Sequence, residues 1–322
     1  MSYIFRAAVS ALCLGSAGCA IHPLPEDVTG VETYFIVRQI RCETRQAVFD
    51  TAVGWLTHDE KVDPVSRAIG LEFADGTRRF ETLSPKLFKD RHVRAVMQLF
   101  WDTGVAYNYN LDMTETNGVG VGIDFLKPII HGGKFTLGAA AGAKGQRENT
   151  RTFTVTDTFG KLVALPSDYC TNQIVEKNYV YPIAGKIGMA HVIQDFIKLT
   201  LFGNLAGPKD NPAGPPTMVD QLQFTTTISG SLTPRVDFSP VGNAFQVVDV
   251  FATPGVSRTD LHTVTVGLAI ARSDLPQLAP LRSQLFAPLL TATGGRTEQA
   301  AAEAVNQALT LKLFQRTIIV AP

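Results

Sequence analysis

Four cysteines, Cys13, Cys19, Cys42 and Cys170, carry the most open chemistry in this chain. A thiol can be acylated, oxidised to a disulfide, held on a metal or used as a nucleophile, and its surroundings decide which. No Cys-x-x-Cys pair brings two of them together as zinc ligands. His58, Asp59, Glu60 and Asp63 are metal-ligand types, but they crowd a charged connection and read as a solvated turn. His191 and Asp195 stand four apart on a helix face and could share a proton or a metal. No third ligand lies near them in sequence, so a surface pair is expected. Gly118, Gly120 and Gly122 alternate with Val119 and Val121. Without a following Lys-Ser/Thr and a helix start they read as strand glycines, not as a phosphate loop. Gly-x-Ser-x-Gly, His-Glu-x-x-His, Walker and calcium-loop patterns do not occur. No catalytic, cofactor-binding or metal residue is assigned.

The first twenty residues sort the cysteines. Arg6 precedes an apolar run over residues 7–14, small residues follow at 15–18, and then comes Cys19. This is the layout of a secretory signal peptide, and its apolar core is far short of the about 20 residues a membrane helix needs. The ending Leu14-Gly15-Ser16-Ala17-Gly18-Cys19 resembles the lipobox of bacterial lipoproteins, with Ser16 where that pattern usually has Leu. The resemblance implies that Cys19 becomes the lipidated (palmitate-bearing) first residue of the mature chain. Ala20 after it, where Asp would stand otherwise, implies sorting to the outer membrane, facing the periplasm. Ordinary cleavage after Ala17 or Ala20 is the alternative.

Cys13 leaves with the signal, so acylation of Cys19 leaves Cys42 and Cys170 as an even pair. An oxidising compartment favours a disulfide between them. The other reading of Cys42 is a reactive thiol, its pKa lowered by Arg38 and Arg45.

Composition bounds the remaining possibilities. The chain has 322 residues, 45% hydrophobic and 18% charged, with 29 basic and 29 acidic residues. That is enough for a sizeable core. The charge balance carries no footprint for nucleic acid, and the expected partners are a membrane, through the anchor, and a protein.

The elements follow from periodicity. Residues 20–30 read as an extended, proline-containing tether with His22 solvated. From Val31 a helix is expected, with a stripe through Ile36, Ile40, Thr44, Val48, Thr51 and Trp55, and Arg38, Arg41 and Arg45 opposite. Residues 71–80 read as a hairpin around Asp75-Gly76, and Ser84-Pro85 as a helix start that leaves His92 on a flank. Residues 103–159 alternate as four strands of an antiparallel meander, broken at Asn117-Gly118 and at His131-Gly132-Gly133. A helix over 188–202 is followed by a Gly/Pro-rich loop. Strands follow at 222–232, 244–251 and 262–271, with His262 at a strand edge, and helices at 278–290 and 297–314.

The expected class is α+β: an antiparallel β-sheet meander covered by amphipathic helices. The expected organisation is signal 1–18, tether 19–30, helices plus meander 31–206, loop 207–217, and strands and helices 218–322, packed with 31–206 as one composite domain. The leading functional expectation is a non-catalytic, lipid-anchored envelope protein with a structural, assembly or partner-binding role at the periplasmic face of the outer membrane. The alternatives are an outer-membrane β-barrel-like protein and a periplasmic hydrolase whose site is assembled only by folding. Helical interruptions and an ending in Val320-Ala321-Pro322, not an aromatic, set the barrel behind.

Overall fold

The computed structural model describes residues 22–129, 133–171, 176–208, 211–231, 235–237, 246–274, 276–278 and 280–281. It is α+β. The helices are α1 (Glu26–Thr29), α2 (Thr33–His58), α3 (Pro64–Ala74), α4 (Arg91–Trp101), α5 (Phe159–Val163) and α6 (Met189–Phe202). The strands are β1 (Gly104–Ile129), β2 (Gly133–Thr158), β3 (Thr217–Ser231), β4 (Arg235–Asp237) and β5 (Gln246–Ala269). They form one sheet in the order β2-β1-β5-β3, with β4 pairing antiparallel to β5. By internal packing the chain divides into two units.

The helix-bearing unit comprises Glu32–Asn110, Thr152–Gln223 and the described residues from Thr263. Three of its helices, α3, α4 and α5, start on capping side chains. Asp63 accepts from Val65 and Ser66 N–H with Pro64 in the first turn, Asp90 accepts from Val93 N–H, and Thr158 accepts from Lys161 N–H. Gly76, at φ 79°, follows the end of α3 in the left-handed region that favours glycine. Here the expected hairpin over 71–80 gives way to helix: Asp63-Pro64 starts α3, and Asp75-Gly76 ends it instead of turning a strand pair. Ser84 caps only a single 3₁₀ turn over Pro85–Leu87, and α4 begins later, at Asp90.

The α2 helix is buried on more than the expected stripe. Cys42, Arg45, Phe49 and Val53 are buried along with Ile36, Ile40 and Leu56, because α3, α5 and α6 all pack against it. On the strands, Val105, Tyr107, Tyr109, Val264, Val266 and Leu268 are buried at alternate positions. The opposite side of this sheet carries Asn108 and Asn110, hydrogen-bonded to Thr154 and Thr152.

The sheet unit comprises the described residues up to Val31 together with Leu111–Arg151 and Phe224–His262. Asn117-Gly118 is no turn, since β1 runs straight through it, and the four expected strands are two long ones. Likewise the strands expected over 244–251 and 262–271 are, from Gln246 to Ala269, the single strand β5, which places His262 inside a strand and buried, not at an edge. The expected tether is partly helical as α1, and Pro23 and Pro25 are buried while His22 is exposed. The expected helix over 297–314 and most of 278–290 lie outside the described residues, as do Cys13 and Cys19.

Candidate functional site

Of the residues singled out by sequence, the structure brings two together. Cys42 and Cys170 form a disulfide with Cα atoms 5.6 Å apart, across a sequence separation of 128. It pins the 3₁₀ turn Ser167–Cys170 to α2, and arginines of α2 bind the same segment. Arg38 donates to the carbonyls of Tyr169 and Thr171. Arg41 makes a two-pronged contact with Asp157, 2.7 and 2.8 Å, and donates to the Tyr169 hydroxyl at 2.7 Å. The hydrogen bond to Asp157 raises the Arg41 pKa against the opposing effect of burial. Arg45 lies over the Phe80 ring at 4.0 Å and donates to Leu165 O at 2.8 Å. Arg38 and Arg41, expected opposite the apolar stripe, therefore hold the disulfide segment in place.

Two further polar devices belong to this unit. The Glu43 carboxylate accepts from the N–H groups of Ile187, Gly188 and Met189 at 2.7–2.8 Å, which places a negative charge on the donors at the start of α6. Tyr107 and Tyr109 have pKa values pushed up, first of all by burial. His191 and Asp195 are exposed on α6, as a surface pair should be. Asp59 and Asp63 each commit one carboxylate oxygen to local turn and cap hydrogen bonds, to Lys61 N–H and to Val65 and Ser66 N–H. No group of three or more His, Cys, Asp or Glu residues suited to a metal is found among the described residues.

The sheet unit holds a cluster that sequence reasoning missed. Arg258, Asp260 and His262 stand two apart on β5, so one face of the strand presents all three, and all three are buried. Arg258 donates to both Asp260 oxygens at 2.8 and 3.0 Å, and His262 Nε2 lies 3.9 Å from the same carboxylate. Burial lowers the His262 pKa, with Arg258 acting in the same direction and Asp260 and Asp112 opposing. Arg258 also donates to the carbonyl of Leu24 and pairs with Asp27 at 3.6 Å. From β2, Asn149 donates to Pro23 O at 2.9 Å and Arg151 lies 3.9 Å from Glu26. Residues 22–30 are thus a strap fastened to β2 and β5. The visible signal was the period-two spacing of buried-type charges on a strand.

Beyond the strap the same unit carries side chains of opposite character on its two faces. Val119, Val121, Phe135 and Leu137 are 40–52% exposed, and Ile123, Val250 and Val256 are exposed as well. The other face is built of small and polar residues together with the Phe251 ring. A methyl placed on Gly122 would meet the Phe251 ring, one on Gly120 would meet Thr253 Oγ1, and one on Gly138 would meet Asp124. A shallow groove on the sheet is lined by Gly118, Gly120, Gly142, Gly230, Thr253 and Gly255. Of the glycines expected to allow close backbone approach or sheet bending, Gly118 faces the backbone carbonyls of Ala143 and Gly255, whereas Gly120 and Gly122 make room for side chains from β5.

No helix among the described residues is long and apolar enough to cross a membrane. A family model described as "Uncharacterised protein y4kA" matches residues 22–283, from the strap through β5 and beyond. "Uncharacterized protein y4kA" of Sinorhizobium fredii (strain NBRC 101917 / NGR234) is 33% identical over 257 residues, 78% of this chain and 78% of that protein. The chain belongs to the y4kA family.

Proposed function

We propose that this is a non-catalytic, lipid-anchored protein of the cell envelope with a structural or assembly role at the periplasmic face of the outer membrane. Cys19, acylated, is the anchor. The observation that carries the reading is the strap. Pro23, only four residues from Cys19, is tied to Asn149, and Leu24 and Asp27 are tied to Arg258. Four residues reach at most about 14 Å, so an acyl chain on Cys19 stays close to the sheet surface. A free tether would let a domain drift from its anchor, whereas this one holds a chosen face of the sheet near the lipid.

The disulfide supports the same compartment, since such bonds persist where the surroundings oxidise. The test is the intact mass of the mature protein from membranes. A diacyl- or triacylglyceryl-modified Cys19 as first residue is expected. An unmodified terminus, or cleavage after Ala17 or Ala20, overturns the anchor.

A further inference from the structure

We infer that the sheet unit is one segment of a membrane-spanning β-barrel closed by copies of this chain. The inference extends the anchor reading but rests on different atoms. Gly122, Gly120 and Gly118 of β1 face Phe251, Thr253 and Gly255 of β5, and Gly142 and Gly138 of β2 face Gly120 and Asp124, so the register across all three strands is fixed. Odd-numbered residues of β1 and β2 therefore share one face with even-numbered residues of β5.

That face reads as three successive surfaces along the strands. The first, around Asp260 and His262, is buried and partly covered by the strap. The second is a charged row in which Glu115, Arg147 and Arg258 take part. The third carries no charge: Val119, Val121, Ile123 and Phe125 on β1, Phe135, Leu137, Ala139, Ala141 and Ala143 on β2, and Val250, Ala252, Pro254 and Val256 on β5. The far end is marked by the aromatics Phe125 and Phe135 and by Lys127.

The dimensions and the chemistry fit a bilayer. Residues 135–143 rise about 27 Å along a strand, and about 21 Å once tilted by roughly 40°, against an apolar band of about 25 Å in membrane barrels. Charged rows and aromatics at the two ends are what the two membrane interfaces select. The opposite face carries Thr116, Asp124, Thr136, Lys144, Gln146, Thr253 and Ser257, with the Phe251 ring lying over Gly122. Such a face needs water, and in a barrel it lines the lumen. The strap lies on the lipid-side face, so the same face would receive the acyl chains of Cys19.

Closure must come from other copies. The path β2-β1-β5-β3 ends in two strands that pair with nothing further among the described residues. Lipid offers no hydrogen-bonding partner for such edges, and closed barrels begin at about eight strands. The four strands of this path among the described residues therefore require two or more chains, with β2 of one copy meeting β3 of the next.

The test uses the full chain with its disulfide intact, in vesicles of phosphatidylethanolamine and phosphatidylglycerol carrying a nitroxide-labelled phospholipid. The environment-sensitive fluorophore NBD is attached to single cysteines at Val121→Cys and Leu137→Cys on the apolar face, and at Thr136→Cys and Lys144→Cys on the other. Labels at 121 and 137 lose most of their emission to the lipid nitroxide, and those at 136 and 144 are quenched by aqueous iodide and not by lipid. The native mass of the detergent-extracted complex is a whole multiple, two or more, of the chain mass. Aqueous exposure at all four sites, lipid quenching without the alternation, or a monomeric complex overturns the inference. An acylated Cys19 in the same preparation shows that the anchor reading stands in that event, and an unmodified Cys19 beside lipid-quenched labels shows the reverse.

Discussion

The two units use the same strands in different ways. In the helix-bearing unit, Tyr107 and Tyr109 of β1 and Val264 and Val266 of β5 alternate with polar neighbours and are fully buried. In the sheet unit, Val119 and Val121 of β1 and Val256 of β5 alternate in the same way and stay exposed. Alternation along a strand therefore says that one face must leave water, and not what will cover it. In the first unit the cover is α2, which meets the sheet through Arg41 and Asp157 and sets Thr44 beside the Tyr107 hydroxyl. In the second, part of the face is covered by the strap, and the rest we assign to lipid.

The difference can be broken most sharply through the disulfide, which belongs to the helix-bearing unit. In the loop-entropy account, opening a bridge across a separation of 128 costs about 4 kcal/mol or more. Cys42→Ala/Cys170→Ala should lower the melting temperature of the helix signal in circular dichroism. Unchanged melting would mean that the arginine contacts alone hold the Tyr169 segment. Arg41→Leu comes next, because it leaves the largely buried Asp157 carboxylate without its guanidinium, a loss of about 3 kcal/mol. Asp157→Asn in the same background should recover part of it in urea melts. Glu43→Ala removes three charge-assisted hydrogen bonds at the start of α6, and a loss of about 2 kcal/mol is expected, with faster amide exchange at Ile187, Gly188 and Met189.

The smallest effect belongs to the sheet unit and is set by pH. Burial depresses the His262 pKa below its ordinary 6.5, so the unfolded chain binds the proton more readily. Stability from this group is complete above that value and falls as pH drops below it toward the depressed pKa. Melts at about pH 7.5 and 5.5 should show the sheet unit weakening at the lower pH, and His262→Gln should flatten that slope. A slope that survives the substitution would show that His262 is not its source.

Much of the helix-bearing unit could be read from the sequence, since its signals are local. The stripe of Ile36, Ile40 and Val48, the α6 pattern from Met189 and the matched pair Cys42 and Cys170 all sit where periodicity and cysteine pairing put them. The errors arose where a local rule met a longer-range fact. Asp75-Gly76 is good hairpin chemistry and equally good helix-stop chemistry, and only the Asp63-Pro64 cap upstream decides between them. Asn117-Gly118 favours a turn, yet the pairing of β1 with β2 and β5 on either side carries the strand through it.

The strap was missed for a similar reason. Pro23 and Pro25 do favour an extended chain, but the hydrogen bonds that bind it come from Asn149 and Arg258, more than a hundred residues away. The alternation that sequence reading took for a covered meander was correct in period. The identity of its cover is not encoded in period, only in which side chains the other elements bring to it.

The central claim is that the apolar face of the sheet unit, and not the anchor alone, meets the bilayer. Extraction of a Cys19→Ala variant, exported behind an ordinary cleavable signal, tests it most directly. The account predicts that the variant stays with the membrane pellet through alkaline carbonate and leaves only in detergent. Recovery of the folded, disulfide-bonded chain in the carbonate supernatant would contradict it.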